Sequence, residues 1–446
     1  MARARFSHTP DTLKAVAADA LAHAREKGAG ACEVEVSDGY GQTVTVRMGD
    51  VETIEYNRDK SLSVTVYMGK QKGYASTADL APRAIRDTVE AALTIARFTA
   101  ADECAGLADP EELARESGDL DLFHPWDLPV ERAIEIARRC ENAAFALDRR
   151  VSNSEGASVS CQQWQFVLAN SEGFMDGFPT SRHVLSCAVI AAEDGGMQRD
   201  DWYVSMRSPK DLPGPEAVGE YTGRRALARL RSRKIGTVQA PVLFEAPVAG
   251  GLVGSFVSAV SGGSLYRKAS FLIDSLGKEV FSPIVNLVER PHLMRGAASS
   301  WFDDEGVVTR DRDVVKNGVL QGYFLGSYSA RKLGLKTTGS AGGNHNLILQ
   351  GGEDDLPGLI RTMGRGLLVT ELMGHGINLV TGDYSRGAAG YWVEGGEIRH
   401  PVEEITIAGN LRDMFRSIVA IGSDTLTRGS RTCGSVLIEG MTVAGN

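Results

Sequence analysis

A chain of 446 residues with 43% hydrophobic residues is long enough for two or three domains, at about 100–200 residues each, and too apolar for wholesale disorder. Its net charge of −9 excludes nucleic acid as the main ligand, because phosphate binding needs a basic surface. No window approaches about 18 uninterrupted apolar residues, so no membrane span is expected. Residues 1–10 contain Arg3 and Arg5 with no apolar core behind them, and do not read as a secretory leader. The six cysteines (Cys32, Cys104, Cys140, Cys161, Cys187, Cys433) are scattered and form no CxxC pair. They read as reduced thiols of a cytoplasmic protein.

Residues 11–27 place Leu13, Val16, Ala17, Ala20, Leu21 and Ala24 at helical spacing before Gly28, which predicts an amphipathic helix. Residues 43–51 and 61–67 alternate apolar and polar and predict strands, with Gly69 and Gly73 at turns. Residues 79–98 predict a second helix, Pro82 being tolerated near its start. Residues 102–128 are acidic and read as a linker, and residues 129–147 as a helix. Ser154-Glu155-Gly156 and Ser171-Glu172-Gly173 read as turns on either side of a strand at 163–169. A hairpin follows at 184–192 and 201–206 around Asp194-Gly195-Gly196, then a basic helix at 216–231. Farther on, residues 241–245 predict a strand and 249–260 a small-residue helix. Short strands are then expected at 307–309, 318–322, 347–350, 366–370, 390–393, 404–407 and 435–438. Glycines between them point to a mixed, curved sheet or a partial barrel. The fold class is α+β, with an α/β N-terminal domain over residues 1–118, a central β-rich region over 119–235 and a large C-terminal mixed-sheet or partial-barrel domain over 236–446.

Chemistry concentrates in Val380-Thr381-Gly382-Asp383-Tyr384-Ser385-Arg386-Gly387-Ala388-Ala389-Gly390-Tyr391-Trp392. Its glycines permit close backbone approach, and Asp383 and Arg386 stand three apart in what reads as a turn. They form either a local ion pair, worth about 0–1 kcal/mol when exposed, or a fixed acceptor and donor lining a cleft. Gly343-Asn344-His345-Asn346 is either a self-satisfied turn or a loop whose amides bond a peptide backbone. Glu371-Leu372-Met373-Gly374-His375-Gly376 invites a metal reading, since helical positions four apart share a face. Two glycines, and Thr370 where a first His would stand, favour a plain turn instead. Cys433 is either a soft ligand or nucleophile, or a small buried apolar residue. Ser255 lies in no GxSxG elbow, no phosphate loop occurs, and Asp303-Asp304-Glu305 reads as a solvated turn.

Four blocks together resemble the PmbA/TldD family, once called modulators of DNA gyrase, and within it the PmbA (TldE) branch. They are Gly343-Asn344-His345-Asn346, Glu371-Leu372-Met373-Gly374, Thr381-Gly382-Asp383-Tyr384-Ser385-Arg386-Gly387-Ala388 and Pro401-Val402-Glu403-Glu404-Ile405-Thr406-Ile407-Ala408-Gly409-Asn410. Residues 299–306 and 61–77 are also similar, and the likeness spans nearly the whole chain. The resemblance implies a bacterial-type metallopeptidase complex of two related subunits. In that family the TldD-type subunit carries a HExxxH helix whose two His, with a later Cys, hold zinc while the Glu activates water. The corresponding stretch here, residues 244–257, contains no His, and Cys433 has roughly the late Cys position. The resemblance therefore implies no catalytic residue and no metal ligand on this chain, with zinc on the partner subunit.

The function expected is that of a non-zinc PmbA-type subunit of a heteromeric TldD/PmbA-like peptidase that degrades or processes unfolded peptides. The expected partner is a TldD-type catalytic subunit, with a homodimer as the assembly in its absence. Asn344, His345, Asn346, Asp383, Ser385 and Arg386 are the candidate peptide-binding or chamber-lining residues. Two alternatives stand beside this. One is a stand-alone binding or regulatory protein such as a gyrase modulator or adaptor. The other is an independent peptidase built on Glu371, His375 and Cys433.

Overall fold

The computed structural model describes residues 6–445. Arg3 and Arg5, on which the leader reading drew, lie outside them. The chain divides into two compact units. One holds the described residues up to Ala228 together with Met294–Gly296 and Trp301–Val308; the other holds Arg229–Leu293, Ala297–Ser300 and Thr309 onward.

The first unit contains α1 (Pro10–Glu26), β1 (Ala31–Arg47), β2 (Asp50–Met68), β3 (Gln71–Thr77), α2 (Pro82–Phe98), α3 (Val130–Leu147), β4 (Val151–Asn170), β5 (Met175–Asp176), β6 (Pro179–Glu193), β7 (Gly196–Met206) and α4 (Pro215–Ala228). Thr9 caps α1 by accepting from the Thr12 amide, and Pro10 takes a first-turn position where no amide is needed. One face of α1 buries Leu13, Ala17, Ala20 and Ala24 with Ile85, Val89 and Leu93 of α2 and Val34, Val36, Val64 and Val66 of the sheet. The strands run in the order β3-β2-β1-β4-β6-β7, with β5 on β4. Because β1 pairs with β4 from Glu33↔Asn170 to Val46↔Ala157, one sheet continues from residues 1–118 into 119–235.

Three local expectations for this unit need correction. The strand expected at 43–51 is the end of β1 and the start of β2, separated by a turn in which Met48 and Gly49 have φ of 53° and 81°. Gly73 marks no turn; it lies inside β3, where the Ala92 carbonyl of α2 leaves no room for a side chain. Ser154-Glu155-Gly156 is a bulge inside β4, where the register against β6 slips. A Cβ at Gly156 would lie 2.9 Å from the Val46 carbonyl oxygen. The acidic stretch 102–128 forms no helix or named strand, yet it buries Leu107, Leu113, Leu120, Leu122 and Leu128 and is packed rather than loose.

The second unit contains β8 (Val238–Phe244), α5 (Ala246–Ala259), α6 (Gly262–Tyr266), β9 (Leu287–Glu289), β10 (Arg312–Lys316), β11 (Val319–Leu320), α7 (Ser327–Leu333), β12 (Leu347–Leu349), α8 (Leu356–Met363), β13 (Arg365–Met373), β14 (Asp383–Glu394), β15 (Glu397–Asn410), α9 (Leu411–Arg416), β16 (Ile418–Ile421), β17 (Leu426–Arg428), β18 (Arg431–Cys433) and β19 (Val436–Ala444). One sheet runs β15-β14-β13-β8-β19-β16, and β15 also pairs with β19 through Thr406↔Ala444 to Ala408↔Thr442. Five strands (β8, β13, β14, β15, β19) thereby close into a barrel, which removes their edges. A second sheet runs β11-β10-β9-β12-β18-β17. α5 packs between these sheets' apolar faces, burying Leu252, Val253, Phe256 and Val257 with Phe281, Leu287, Phe415 and Val436. The mixed α+β class and the curved, barrel-forming C-terminal sheet are as the glycine-punctuated strands led us to expect. Residues 307–309 differ: Val307 and Val308, which belong to the first unit, form isolated bridges only, Leu113↔Val307 and Phe302↔Val308, and Thr309 forms none.

Candidate functional site

The loop before β12 carries Asn344, His345 and Asn346. Its side chains turn into the fold rather than out of it. Asn346 is 6% exposed; its Oδ1 accepts from the Ala298 amide at 2.9 Å, and its Nδ2 donates to Ser299 Oγ at 2.7 Å and to the Arg290 carbonyl at 2.9 Å. Asn344 Nδ2 donates to Ser430 Oγ at 3.0 Å and to the His345 carbonyl at 2.6 Å. The His345 amide donates to Glu289 Oε1 at 2.7 Å, and its Nδ1 lies 3.5 Å from the same oxygen.

Glu289 is the centre of this arrangement. It ends β9, almost wholly buried, and its Oε2 accepts from Arg312 Nε at 2.6 Å. Arg312 in turn donates to the Tyr323 carbonyl at 2.7 Å and lies over the Phe324 ring, 4.8 Å from its centroid. Burial works against the Glu289 charge, yet the His345 N–H donors and the Arg312 cation outweigh it and hold the carboxyl below its ordinary value. Neither Glu289 nor Arg312 stands out in the sequence. The available signal was a carboxylate directly after the apolar run Leu287-Val288.

The run at 380–392 is a turn followed by a strand. Gly382, at φ 87°, donates to the Asn378 carbonyl at 2.7 Å. Asp383 opens β14, and its carboxylate accepts from Thr381 Oγ1 at 2.6 Å and from Asn410 Nδ2 at 3.2 Å. Asp383 and Ser385 are exposed, while Tyr384 and Ala388 are buried and Arg386 half-buried on the other face. Residues three apart on a strand face opposite ways, so Asp383 and Arg386 do not form the pair that their spacing suggested. Arg386 shares its face with Tyr384, and its Nε and the Tyr384 hydroxyl are both buried with no hydrogen-bond partner among the described residues. Burial pushes the Tyr384 phenol up to about 12, with the Arg386 cation opposing. No hydrogen bond or ion pair joins residues 344–346 to 383–386 among the described residues.

Glu371 and His375 share no helix. Glu371 lies near the end of β13 and is bound to Arg229, Gly374 turns the chain at φ 73°, and His375 is exposed beyond it. The plain-turn reading is therefore the one that fits.

Cys433 lies against α5. Its thiol donates to the Ala246 carbonyl at 3.7 Å, and Gly250 is its neighbour on the helix, where a Cβ would lie 3.8 Å from Sγ. Burial, then the Asp424 charge, push this thiol up to about 12, so it is held as the neutral S–H. The Ser435 hydroxyl donates to Asp424 at 2.6 Å and accepts from the Ala246 amide at 3.0 Å, closing the start of α5. Arg431, two residues before Cys433, lies over Gly254, and a Cβ there would meet its guanidinium at 2.6 Å.

Family models match three consecutive stretches: PmbA/TldA metallopeptidase domain 1 over residues 32–96, the central domain over 123–230 and the C-terminal domain over 237–445. The chain is 51% identical over 433 residues to the metalloprotease PmbA of Escherichia coli O157:H7, covering 97% of this chain and 96% of that one. To a metalloprotease TldD homologue of Haemophilus influenzae it is 24% identical over 426 residues, covering 89% of this chain and 85% of the other. Among solved structures, a candidate modulator of DNA gyrase from Bacteroides thetaiotaomicron matches with a TM-score of 0.93 at 27% identity, covering 98% of this chain and 100% of that one.

A metallopeptidase description implies a metal ion, and a zinc centre needs three or four correctly placed donors. Facing α5, Cys433 is a neutral thiol, Gly250 and Gly254 offer no ligand, and Asp424 is engaged by Ser435. No group of three or more His, Cys, Asp or Glu placed to share an ion occurs among the described residues. These residues do not fit a metal centre.

Proposed function

The chain belongs to the PmbA/TldD metallopeptidase family, and from that premise we propose that it is the metal-free subunit of a two-subunit peptidase. In this reading its partner is a TldD-type subunit that carries zinc, and the pair processes unfolded peptides in the cytoplasm. The observation that carries the reading is the make-up of α5: Gly250, Gly251 and Gly254 occur along the helix, no His does, and the neighbouring Cys433 is held neutral. A neutral thiol with no companion ligand supplies no zinc shell. Kinship to a TldD homologue along most of both chains supports a partner of similar build. Six free cysteines among the described residues suit a reducing compartment.

Within such a complex the loop 344–346 supports the chamber wall from behind, its side chains, the His345 amide and carbonyl and the Asn346 carbonyl all being committed inward. Ser385 and Asp383, exposed at the start of β14, are the positions that a peptide would reach. The test is reconstitution. The purified chain, a purified TldD-type subunit and their mixture are each incubated with an unfolded polypeptide. Cleavage that requires the mixture supports the reading; cleavage by this chain alone ends it. A stand-alone regulatory role rests on the name of the Bacteroides relative, and it predicts no gain of cleavage on mixing.

A further inference from the structure

α5 carries Gly250, Gly251 and Gly254 in its middle, where glycine weakens a helix. Positions one and four residues on from Gly250 lie to the same side of the helix, so the three glycines bare one face. A Cβ at Gly251 would meet nothing within 4 Å, and that position is open to solvent. β18 runs along this face in step with the helix. Its Arg431 lies over Gly254 and its Cys433 beside Gly250. Two residues of strand and four of helix both span about 6 Å, which lets alternate residues of β18 meet successive turns of α5. The approach is closest at Gly254, where a Cβ would lie 2.6 Å from Arg431 Nη1 and 3.1 Å from its Cζ.

The guanidinium held there has no counter-charge. Arg431 is half-buried, yet its side chain makes no hydrogen bond and no ion pair among the described residues. Its Nε is buried, whereas Nη1 and Nη2 are not closed off. Arg312, comparably placed in the same unit, is matched by Glu289 and the Tyr323 carbonyl. A partly buried cation with unmatched donors costs stability. Arg428 stands directly opposite Arg431 across the hairpin of β17 and β18, and like charges opposite one another on a sheet face are unfavourable. The surroundings supply no acceptor to spare. Cys433 is a neutral thiol, and Asp424 is engaged by the Ser435 hydroxyl and amide. The Ser255 and Ser258 hydroxyls turn back onto the Gly251 and Gly254 carbonyls at 3.0 and 2.9 Å.

We propose that Arg431, laid against the glycine face of α5, is a binding site for a carboxylate. The planar fork of a guanidinium matches the two oxygens of one carboxylate, and one fixed cation suits one negative charge. A phosphate group would bring nearly two charges and more oxygens than these donors satisfy. The Asp424 charge, felt at Cys433, opposes a dianion further. The bare face at Gly250 and Gly251 leaves room for whatever the carboxylate is attached to. That is either the C-terminal end of a peptide or a small free acid, and the experiment separates the two. The net charge of −9 works against anions at long range, so binding is modest and weakens with salt. The site belongs to the isolated chain and stands whether or not the chain serves a peptidase.

Calorimetric titration of the full chain at low ionic strength tests this, with N-acetyl-tetraalanine, its C-terminal amide and sodium acetate as probes. The parent is expected to bind a carboxylate probe, and the amide at least roughly tenfold more weakly than the peptide acid if the chain end is the ligand. Acetate binding as tightly as the peptide acid assigns the site to small free acids; a tighter peptide assigns it to chain ends. R431M is expected to raise the Kd by roughly tenfold or more while its melting temperature stays at or above the parent's, because an unmatched cation has been removed. R431K, which keeps the charge without the fork, should fall between the two. G254A pushes the guanidinium aside and leaves its charge in place. It is expected to weaken binding although alanine favours the helix, so the outcome does not depend on one variant folding. A parent that binds neither carboxylate at millimolar concentration, a peptide acid that binds no better than both its amide and acetate, or R431M and G254A that bind like the parent would each overturn the proposal.

Discussion

Arg312 Nε and Glu289 Oε2 meet at 2.6 Å, with the carboxylate side chain 3% and the guanidinium side chain 18% exposed. This pair joins β10 to β9, and the same carboxylate receives the His345 amide. The loop that carries Asn344, His345 and Asn346 is thus tied to a buried charge as well as to the side-chain hydrogen bonds of Asn344 and Asn346.

Removing one partner of a buried pair leaves the other charge uncompensated. Glu289→Gln is therefore expected to destabilise the second unit by roughly 3–5 kcal/mol. Replacing both residues, Glu289→Leu with Arg312→Met, is expected to recover most of that loss. Denaturant midpoints measure both. Equal midpoints for parent and Glu289→Gln would show that the pair is slack.

Acid should act through the same carboxyl. Its folded value is depressed by His345 and Arg312 against the opposing effect of burial. A depressed carboxylate contributes stability that is present above its unfolded value and lost as pH falls through the folded value. The parent is expected to lose stability below about pH 4, and Glu289→Gln to show a flatter acid limb in a titration of melting temperature.

Glu33 on β1 behaves in the opposite sense. Burial first, and then the Glu305 charge, push its carboxyl up to about 7, with Lys72 opposing. A raised folded value favours the native state while the group is neutral in both states, and stability falls as pH rises from the ordinary 4.5 toward about 7. Glu33→Gln is thus expected to match the parent near about pH 4 and to exceed it by roughly 1–3 kcal/mol near about pH 8. Melting curves at the two pH values check the sign; a variant less stable at the higher pH would reverse the assignment.

Cys433 is expected to resist alkylation. A buried thiol held up to about 12 presents almost no thiolate at neutral pH. Iodoacetamide followed by peptide mass spectrometry should label Cys433 only after denaturation, while the half-buried Cys104 reacts in the native protein. Rapid native labelling of Cys433 would mean that the thiolate is both formed and reachable, and would revive its role as a ligand or nucleophile.

Helices with an apolar stripe were legible from the sequence. Residues 11–27 and 129–147 lie within a residue or two of α1 and α3, because a face of Ala and Leu has only one way to be buried. The hairpin of β6 and β7 was legible from Asp194-Gly195, a turn pair between alternating runs. Residues 52–60 were not, since a strand exposed on both faces carries no apolar period for alternation to reveal. The candidate site was legible only as a set of blocks. Asp383 and Arg386 read as neighbours by spacing, and it took the strand, which follows the turn and not the reverse, to send them to opposite faces. Glu289 and Arg312 are 23 residues apart and meet only through strand pairing, which spacing cannot encode.

Metal content of the isolated chain tests the account most directly. Elemental analysis after purification without chelator, repeated after mixing with a TldD-type subunit, should find no stoichiometric transition metal on this chain and zinc only once the partner is present. One firmly held metal ion per isolated chain, released together with peptidase activity, would contradict it.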